Sequence, residues 1–288
     1  MPLVVESTST NAVSNSSSVT VNKPTGTVSG DLLLLLANGT ELFPPTSTGF
    51  TQSVAQQTNN GGSVKDISVA ILYKIAGSSE PASYDVDLPG GNLSGAATLL
   101  RISGWNVGDP IFASATFGGN HDTNSETLST GTISLTRPSN SLLVHIIGHE
   151  GNNVVTASNY TRIAGSANPT WTEVQDETYD VSAGGSEVCI ATAYANDTDT
   201  DDVTRFDVDI VSTPAGDPEG YAGIFAVIAE PLAANATSDF LTISPTFFSN
   251  STLFGGGATS DFHETTPTFF TNSSTAFSPT VWTTISKT

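Results

Sequence analysis

The fold of this chain is decided by the stretch Gly30-Asp31-Leu32-Leu33-Leu34-Leu35-Leu36-Ala37, which ends at Asn38-Gly39. Because the leucines occupy both parities of an extended backbone, the stretch predicts a strand that is buried on both of its faces. It is too short to cross a membrane as a helix. We therefore expect it at the centre of a β-sheet that is covered on both sides.

A second stretch, Ser141-Leu142-Leu143-Val144-His145-Ile146-Ile147-Gly148, repeats this pattern, and the segments around the two stretches follow in the same order. Apolar residues alternate with carboxylates in both Tyr84-Asp85-Val86-Asp87-Leu88 and Phe206-Asp207-Val208-Asp209-Ile210, so each predicts a strand with one core face and one solvated face. Val19-Thr20-Val21 is matched in the same way by Ile133-Ser134-Leu135. Differences in spacing fall between the segments, where loops vary in length. The sequence therefore predicts one unit that is present twice.

Short apolar segments separated by Gly, Pro, Asn and Ser, without a helical period, predict an all-β chain. The expected architecture is an antiparallel β-sandwich or jelly-roll body with internal duplication, followed by an extended C-terminal β-repeat arm. We divide the chain into a first β-sandwich repeat at residues 1–118, a second at residues 119–232 and the arm at residues 233–288. Whether the repeats form two sandwiches or two halves of one is left open by the sequence.

The arm contains a shorter repeat of its own. Ala-Thr-Ser-Asp-Phe at residues 236–240 recurs at residues 258–262, and Pro-Thr-Phe-Phe at residues 245–248 recurs at residues 267–270, in both cases 22 residues later. Units this short cannot enclose their own aromatic side chains, so we expect them to dock on the body or on other chains. The aromatic residues expected to form this docking interface are Phe247, Phe248, Phe254, Phe269, Phe270, Phe277 and Trp282.

The chain is strongly acidic, with 28 Asp and Glu against 8 Lys and Arg and a formal net charge of -20. Since an acidic surface repels phosphate groups, we expect neither nucleic acid nor an anionic membrane as a partner. Cys189 is the single cysteine, so the fold cannot depend on an intrachain disulfide. The first residues lack the basic and apolar regions of a signal peptide, and none is expected.

No motif in the sequence predicts catalysis. A Gly-x-Ser-x-Gly elbow and a glycine-rich phosphate loop are both absent, and Cys189 lies within a predicted core strand. We therefore predict a non-enzymatic protein without catalytic residues. His145 and His149 lie four residues apart on a predicted strand, where that spacing spans ~13 Å and favours packed side chains over shared metal ligands.

Calcium is the only cofactor that the sequence brings into consideration. Asp197, Asp199 and Asp201 alternate with threonines as at the start of a calcium-binding loop, and these three residues would be its ligands. The pattern then departs from such loops, because Asp202 stands where glycine is required. A solvated acidic turn between strands is the alternative.

The body sequence resembles a β-sandwich module of structural proteins of tailed bacteriophages. The resemblance rests on residues 30–37, then Thr48-Gly49-Phe50-Thr51, residues 70–76 and Ser79-Glu80-Pro81-Ala82-Ser83-Tyr84. The arm motif at residues 267–281 is similar to short repeats at the ends of phage virion proteins. The resemblance implies a viral structural protein located in the virion, either a capsid-decorating protein or a tail or fibre component, and it implies no active-site residue.

The partners expected for such a protein are other virion proteins and further copies of the chain, in a homo-oligomer with a trimer favoured. The alternative is a carbohydrate-binding adhesin or a receptor-binding tail fibre protein. In that case Trp105, Trp171 and Trp282 would be candidates for stacking on sugar rings. An exposed aromatic platform beside polar side chains would favour this alternative.

Overall fold

The computed structural model describes residues 3–59, 66–90, 93–121, 125–129, 133–134, 140–150, 154–162, 169–179, 188–198, 203–204, 206–213 and 219–230. All regular secondary structure in these ranges is β-strand, which confirms the all-β class. Because Ser, Thr, Val, Ile and Leu dominate these segments, the local preference for extended backbone agrees with the assignment.

The first copy contains eight strands. These are β1 (Val4–Ser16), β2 (Ser18–Asn22), β3 (Leu32–Thr40), β4 (Thr46–Ser47), β5 (Thr51–Thr58), β6 (Ile67–Ile75), β7 (Ser83–Asp87) and β8 (Leu93–Ser103). The second copy contains β9 (Ala113–His121), β10 (Ser125–Ser129), β11 (Ile133–Ser134), β12 (Ser141–Glu150), β13 (Val154–Arg162), β14 (Trp171–Tyr179), β15 (Val188–Asp197), β16 (Val203–Thr204), β17 (Phe206–Thr213) and β18 (Glu219–Ala229).

Each copy has a five-stranded and a three-stranded antiparallel sheet. The large sheets have the orders β1-β8-β3-β6-β5 and β9-β18-β12-β15-β14, and the small sheets have the orders β2-β7-β4 and β10-β17-β13. The Leu32–Leu36 strand and its counterpart in the second copy are therefore the central strands of their sheets, as the duplication predicts. The second copy differs by a further two-stranded sheet, β11-β16.

The leucine stretch is buried on both faces because each face has a different cover. Leu32, Leu34 and Leu36 belong to a core cluster that also contains Val144 and Ile146 of the second copy. The intervening leucines belong to a separate cluster formed with the small sheet of the first copy, which includes Val19, Val21, Leu33, Leu35 and Val86. The two large sheets thus pack face to face, and the small sheet covers the outer face of the first.

The two copies form one compact unit. Residues 1–238 cluster together, and residues 239–288 make a second unit. The copies are thus neither two separate domains nor two halves of a single two-layered sandwich, because each has its own sandwich and the sandwiches share a core.

Two details of the sequence assignment are wrong. The central strand continues past Asn38-Gly39 to Thr40, because Asn38 is fully buried and its side chain is hydrogen-bonded. The segment Ile133–Ser134 pairs with β16, whereas the strand that pairs with β17 as β2 pairs with β7 is β10. Apolar alternation in a short segment does not specify which neighbouring strand it joins.

Candidate functional site

Residues of the segment 74–84 stabilise one end of the first copy. The carboxylate of Glu80 forms an ion pair with Lys74 at 2.6 Å and accepts a hydrogen bond from the Tyr84 hydroxyl at 2.8 Å. The backbone N–H of Gly77 donates to the other carboxylate oxygen of Glu80 at 2.6 Å. Burial raises the pKa of the Tyr84 hydroxyl, and its hydrogen bond to Glu80 adds to that rise. These residues stabilise the turn between β6 and β7.

The opposite side of the same end is held by Arg101. Its guanidinium Nε lies 2.6 Å from a carboxylate oxygen of Asp31, at the start of the central strand. The same carboxylate accepts the backbone N–H of Val28 at 2.8 Å. The Gly-Asp pair that opens the leucine stretch is therefore a structural turn, in which Gly30 has a φ of 94°.

The two large sheets pack about an approximate two-fold axis. Strand β1 lies against β14, and β9, the counterpart of β1, lies against β5, the counterpart of β14. In the same reciprocal manner β8 contacts β15 and β18 contacts β6. This is the geometry of an isologous interface, in which the same face is used by both partners.

Two equivalent residues meet near this axis, and they differ. Asn38 and Gly148 occupy matching positions, since Asn38 is opposite Ala96 in β8 and Gly148 is opposite Ala222 in β18. The Asn38 side chain accepts the N–H of Ala96 at 2.8 Å and donates to the carbonyl oxygen of Cys189 at 2.8 Å. A Cβ added at Gly148 would lie 3.0 Å from the Cβ of Asn38. The glycine thus makes room for the asparagine that joins the copies.

A second polar contact crosses the same interface. The Thr98 hydroxyl donates to Gln175 at 2.7 Å and lies 3.1 Å from the Thr192 hydroxyl, with all three side chains buried. Sequence reasoning missed this contact and Asn38, because single polar residues in apolar strands carry no signal that marks them as interface residues. The available signal was that each polar residue interrupts an apolar segment that is predicted to be buried, where a polar side chain needs a hydrogen-bond partner.

The histidine pair lies on a strand, as predicted, and both side chains are buried. His145 and His149 are each 1% exposed. The ring of His145 stacks on Phe117, with centroids 5.6 Å apart and planes at 6°. Burial lowers the pKa of His145 to about 3, so the ring is neutral at ordinary pH. Cys189, also predicted to be a core residue, is buried opposite His149.

Two of the tryptophans lie in the described residues. Trp105 is 4% exposed and its indole N–H donates to the carbonyl oxygen of Gly30 at 3.0 Å. Trp171 is half-buried and packs against a core cluster of the second copy that contains Leu143 and Phe225. Trp105 is therefore a core residue and cannot contribute to an exposed platform for sugar rings.

The predicted calcium ligands are only partly described. Asp197 is buried at the end of β15, opposite Ser141, whereas Asp199 and Asp201 lie outside the described residues. Among the described residues no group of three or more His, Cys, Asp or Glu side chains is placed to hold a metal ion. The calcium set thus stays a prediction.

Asp197 also lines an open pocket of about 310 Å³, which no pattern in the sequence indicates. Glu230 lies in the same pocket and accepts the backbone N–H of Leu3 at 3.1 Å and the Asn140 amide at 3.3 Å. The carboxylate of Glu230 therefore fastens the first described residue of the body to the last. This role was missed because it joins residues at opposite ends of the body sequence.

All seven predicted docking residues lie outside the described residues, at positions 247–282. Within the described residues no helix is long and apolar enough to span a membrane. The exposure of Asp85 and Asp87 on β7 confirms the solvated face predicted for that strand.

Comparison with known proteins returned no matching family model and no significant match among curated proteins or solved structures.

Proposed function

We propose that this chain is a non-enzymatic structural protein of a phage virion, a head-decorating protein or a tail or fibre component. In this proposal the duplicated body is a rigid block, and the C-terminal arm attaches it to neighbouring subunits. The phage-like motifs of the body and arm support the assignment to a virion. The structural roles of Glu80, Asp31 and their partners support a scaffold, since those motif residues stabilise turns.

One observation carries the proposal: the compact unit that contains the body ends close to the position where the repeat-rich arm begins. The described core clusters are built from residues between Leu3 and Ile228, in the unit of residues 1–238. Both Pro-Thr-Phe-Phe motifs fall in the unit of residues 239–288. A body with its own core, followed by a repeated aromatic segment, is suited to attachment through that segment.

The energetics favour docking at repeated sites. Burying one Phe side chain is worth roughly 1.5 to 3 kcal/mol, so several together can outweigh the entropy lost when a segment becomes ordered. Two similar motifs require two similar docking sites, and symmetric assemblies provide such sites. Gly255-Gly256-Gly257 between the motifs gives the chain freedom to reach both.

The proposal is tested by removing the arm. A chain that ends after Leu232 should keep the melting temperature of the body but fail to self-associate and fail to bind purified virus particles. Light scattering measures the association, and cryo-microscopy of particles locates the protein. The matched variant is the full-length chain with Phe247, Phe248, Phe269 and Phe270 replaced by Ser, which should fail in the same assays.

Assembly and particle binding by the truncated chain at full-length levels would contradict the docking role. The adhesin alternative would be favoured instead if the truncated body bound immobilised oligosaccharides. That alternative has lost one of its proposed platform residues, because Trp105 is buried.

A further inference from the structure

Each copy turns one face of its large sheet to the other copy, and we call this face the shared face. The buried contact of Thr98 with Gln175 and Thr192 lies on one side of the two-fold axis, where β8 contacts β14 and β15. On the other side of the axis β18 contacts β5 and β6 in the same manner. Strand register identifies the residues that occupy the equivalent positions there.

The equivalent of Thr98 in the second copy is Ile224. Thr98 is opposite Leu36 in the first central strand. Ile224 is opposite Ile146 in the second central strand. Leu36 and Ile146 correspond to each other, because they lie at the same distance from the matched asparagine and glycine described above. The two shared faces thus present a hydroxyl and a hydrocarbon side chain at the same position.

The partners in the polar contact also have apolar equivalents. Thr192 of β15 corresponds to Ile71 of β6, because each is opposite the same position of its central strand. Gln175 of β14 corresponds to Val54 of β5, and each is the first paired residue after the register shift in its strand. Ile71 and Ile224 are fully buried in the shared core, and Val54 packs against it. One side of the axis therefore pairs polar with polar side chains, and the other pairs apolar with apolar side chains.

We propose that the shared face selects its partner: a first copy pairs with a second copy, of the same chain or of another, and not with a further first copy. In a pair of two first copies, the Thr98 hydroxyl of each would be buried against the apolar side chains of β5 and β6. In a pair of two second copies, Ile224 of each would face Thr192 and Gln175. Both pairings lose the hydrogen bonds of the mixed pair and, because of the two-fold symmetry, contain the mismatch twice.

Asn38 and Gly148 add a steric criterion beside the axis. A Cβ at Gly148 would already lie 3.0 Å from the Cβ of Asn38 and 3.2 Å from its Nδ2 atom. Two asparagines therefore do not fit at these positions, which opposes a pair of first copies. Two glycines would leave the space empty and remove the hydrogen bond that the carbonyl oxygen of Cys189 accepts from Asn38. The mixed pair alone fills the space without a clash.

Selection of this kind controls how a duplicated chain assembles. If the shared face were unselective, first copies would pair with first copies and second with second, and chains would join in an open series. Mixed pairing closes within one chain and keeps each body a discrete block. Residues that suit one partner and oppose a related one are the general means of such discrimination. Partner selection at this face is independent of the arm and of a role in a virion.

The test uses the full-length chain with a protease site inserted after Val107, in the turn between the copies. Val107 is 72% exposed, and exposed turns tolerate insertions. The folded chain is cleaved, unfolded in urea and refolded, and native mass spectrometry then measures the pairs that form. Mixed pairs should exceed pairs of two first pieces by about 100-fold, since each of the two mismatches is worth about tenfold. Comparable amounts would overturn the proposal. The first piece carries no arm, so its self-pairing reports on the shared face alone.

A variant with exchanged residues sharpens the test. Thr98→Ile together with Asn38→Gly gives the first copy the residues that the second copy has at both positions. Two first pieces then match each other, whereas the mixed pair contains the mismatch. The ratio of pairs should shift toward two first pieces by about 100-fold. Leu34→Met, which changes the shared face elsewhere, is the control and should leave the ratio of the parent. An unchanged ratio in the exchanged variant would overturn the proposal.

A second measurement uses the intact chain and decides the matter if the cleaved pieces do not refold. Thr98→Val alone, and Thr192→Val with Gln175→Met, should each lower the urea midpoint, because each leaves polar side chains facing apolar ones. The triple variant makes this side of the axis apolar like the other and should recover most of the loss, since replacing both partners of a buried hydrogen bond can be nearly neutral. Losses that simply add in the triple variant would show that the contact does not discriminate between partners, and would overturn the proposal.

Discussion

The two copies share a fold but differ in the core of each sandwich. In the first copy the central strand presents Leu33 and Leu35 to its small sheet, and both are fully buried. In the second copy the residue equivalent to Leu35 is His145, since Leu35 is opposite Leu99 and His145 is opposite Phe225. The face that joins the copies, in contrast, is apolar along most of both central strands, with Leu34 and Val144 fully buried. Its exception is the pair Asn38 and Gly148, where the two copies differ so that they can meet.

The largest effect is expected when the shared face is broken. Leu34→Asp places an unpaired carboxylate in the cluster common to both copies and should lower the free energy of unfolding by about 3 to 5 kcal/mol. Urea denaturation followed by fluorescence and circular dichroism measures the loss. Leu34→Met is the control and should cost less than about 1.5 kcal/mol. An unchanged denaturation midpoint for Leu34→Asp would mean that this face does not hold the copies together.

A smaller, pH-dependent effect should separate the two sandwich cores. The pKa of His145 falls from 6.5 to about 3 on burial, so the unfolded chain binds a proton more readily than the folded one between these values. Stability is then unaffected above pH 6.5 and decreases as the pH falls, by about 3 kcal/mol at pH 4. His145→Leu, which restores the residue of the first copy, should remove this part of the decrease. Melting curves of both proteins between pH 4 and 8 check it, and parallel curves would contradict the assignment to His145.

The smallest effect on stability is expected for a substitution at Gly148, where the two copies differ beside the two-fold axis that relates them. A Cβ at Gly148 would lie 2.7 Å from the Cγ1 of Val69, so Gly148→Ala should cost about 1 to 3 kcal/mol through overpacking. In a Val69→Ala background, which lacks that methyl group, Gly148→Ala should cost less stability. A double-mutant cycle measures the coupling: the double mutant should lose less stability than the sum of the losses in the two single mutants. Strictly additive costs would show that the two residues do not meet.

The duplication and the central place of the apolar strands could be predicted from the sequence, because alternation and apolar runs report directly on burial. Strands β1, β9 and β14, which form edges of the large sheets, were not identified. The leucine stretch even indicates that two covers exist, since both parities are apolar. It does not indicate what the covers are. One cover is the second copy, and this depends on the side-chain fit at Asn38 and Gly148. A pattern of apolar residues carries no information on such a fit.

The candidate site was less accessible to sequence reasoning for a similar reason. The arm motifs repeat and could be found by inspection. The Glu230 pocket joins residues that are 227 positions apart in the sequence. Charges near a strand can be read from sequence, but whether a strand is an edge cannot.

The hydrogen bond from Leu3 to Glu230 has a consequence for synthesis of the chain. A ribosome that has released Ser103 has supplied every strand of the first large sheet, yet the leucine face that the second copy covers remains open to water. It stays so until β12 and β18 have emerged, and the contact with Glu230 forms only when translation has passed that residue. During that interval the nascent chain exposes an apolar surface, so a pause there would favour aggregation or chaperone binding, and rapid translation of the second copy would favour folding.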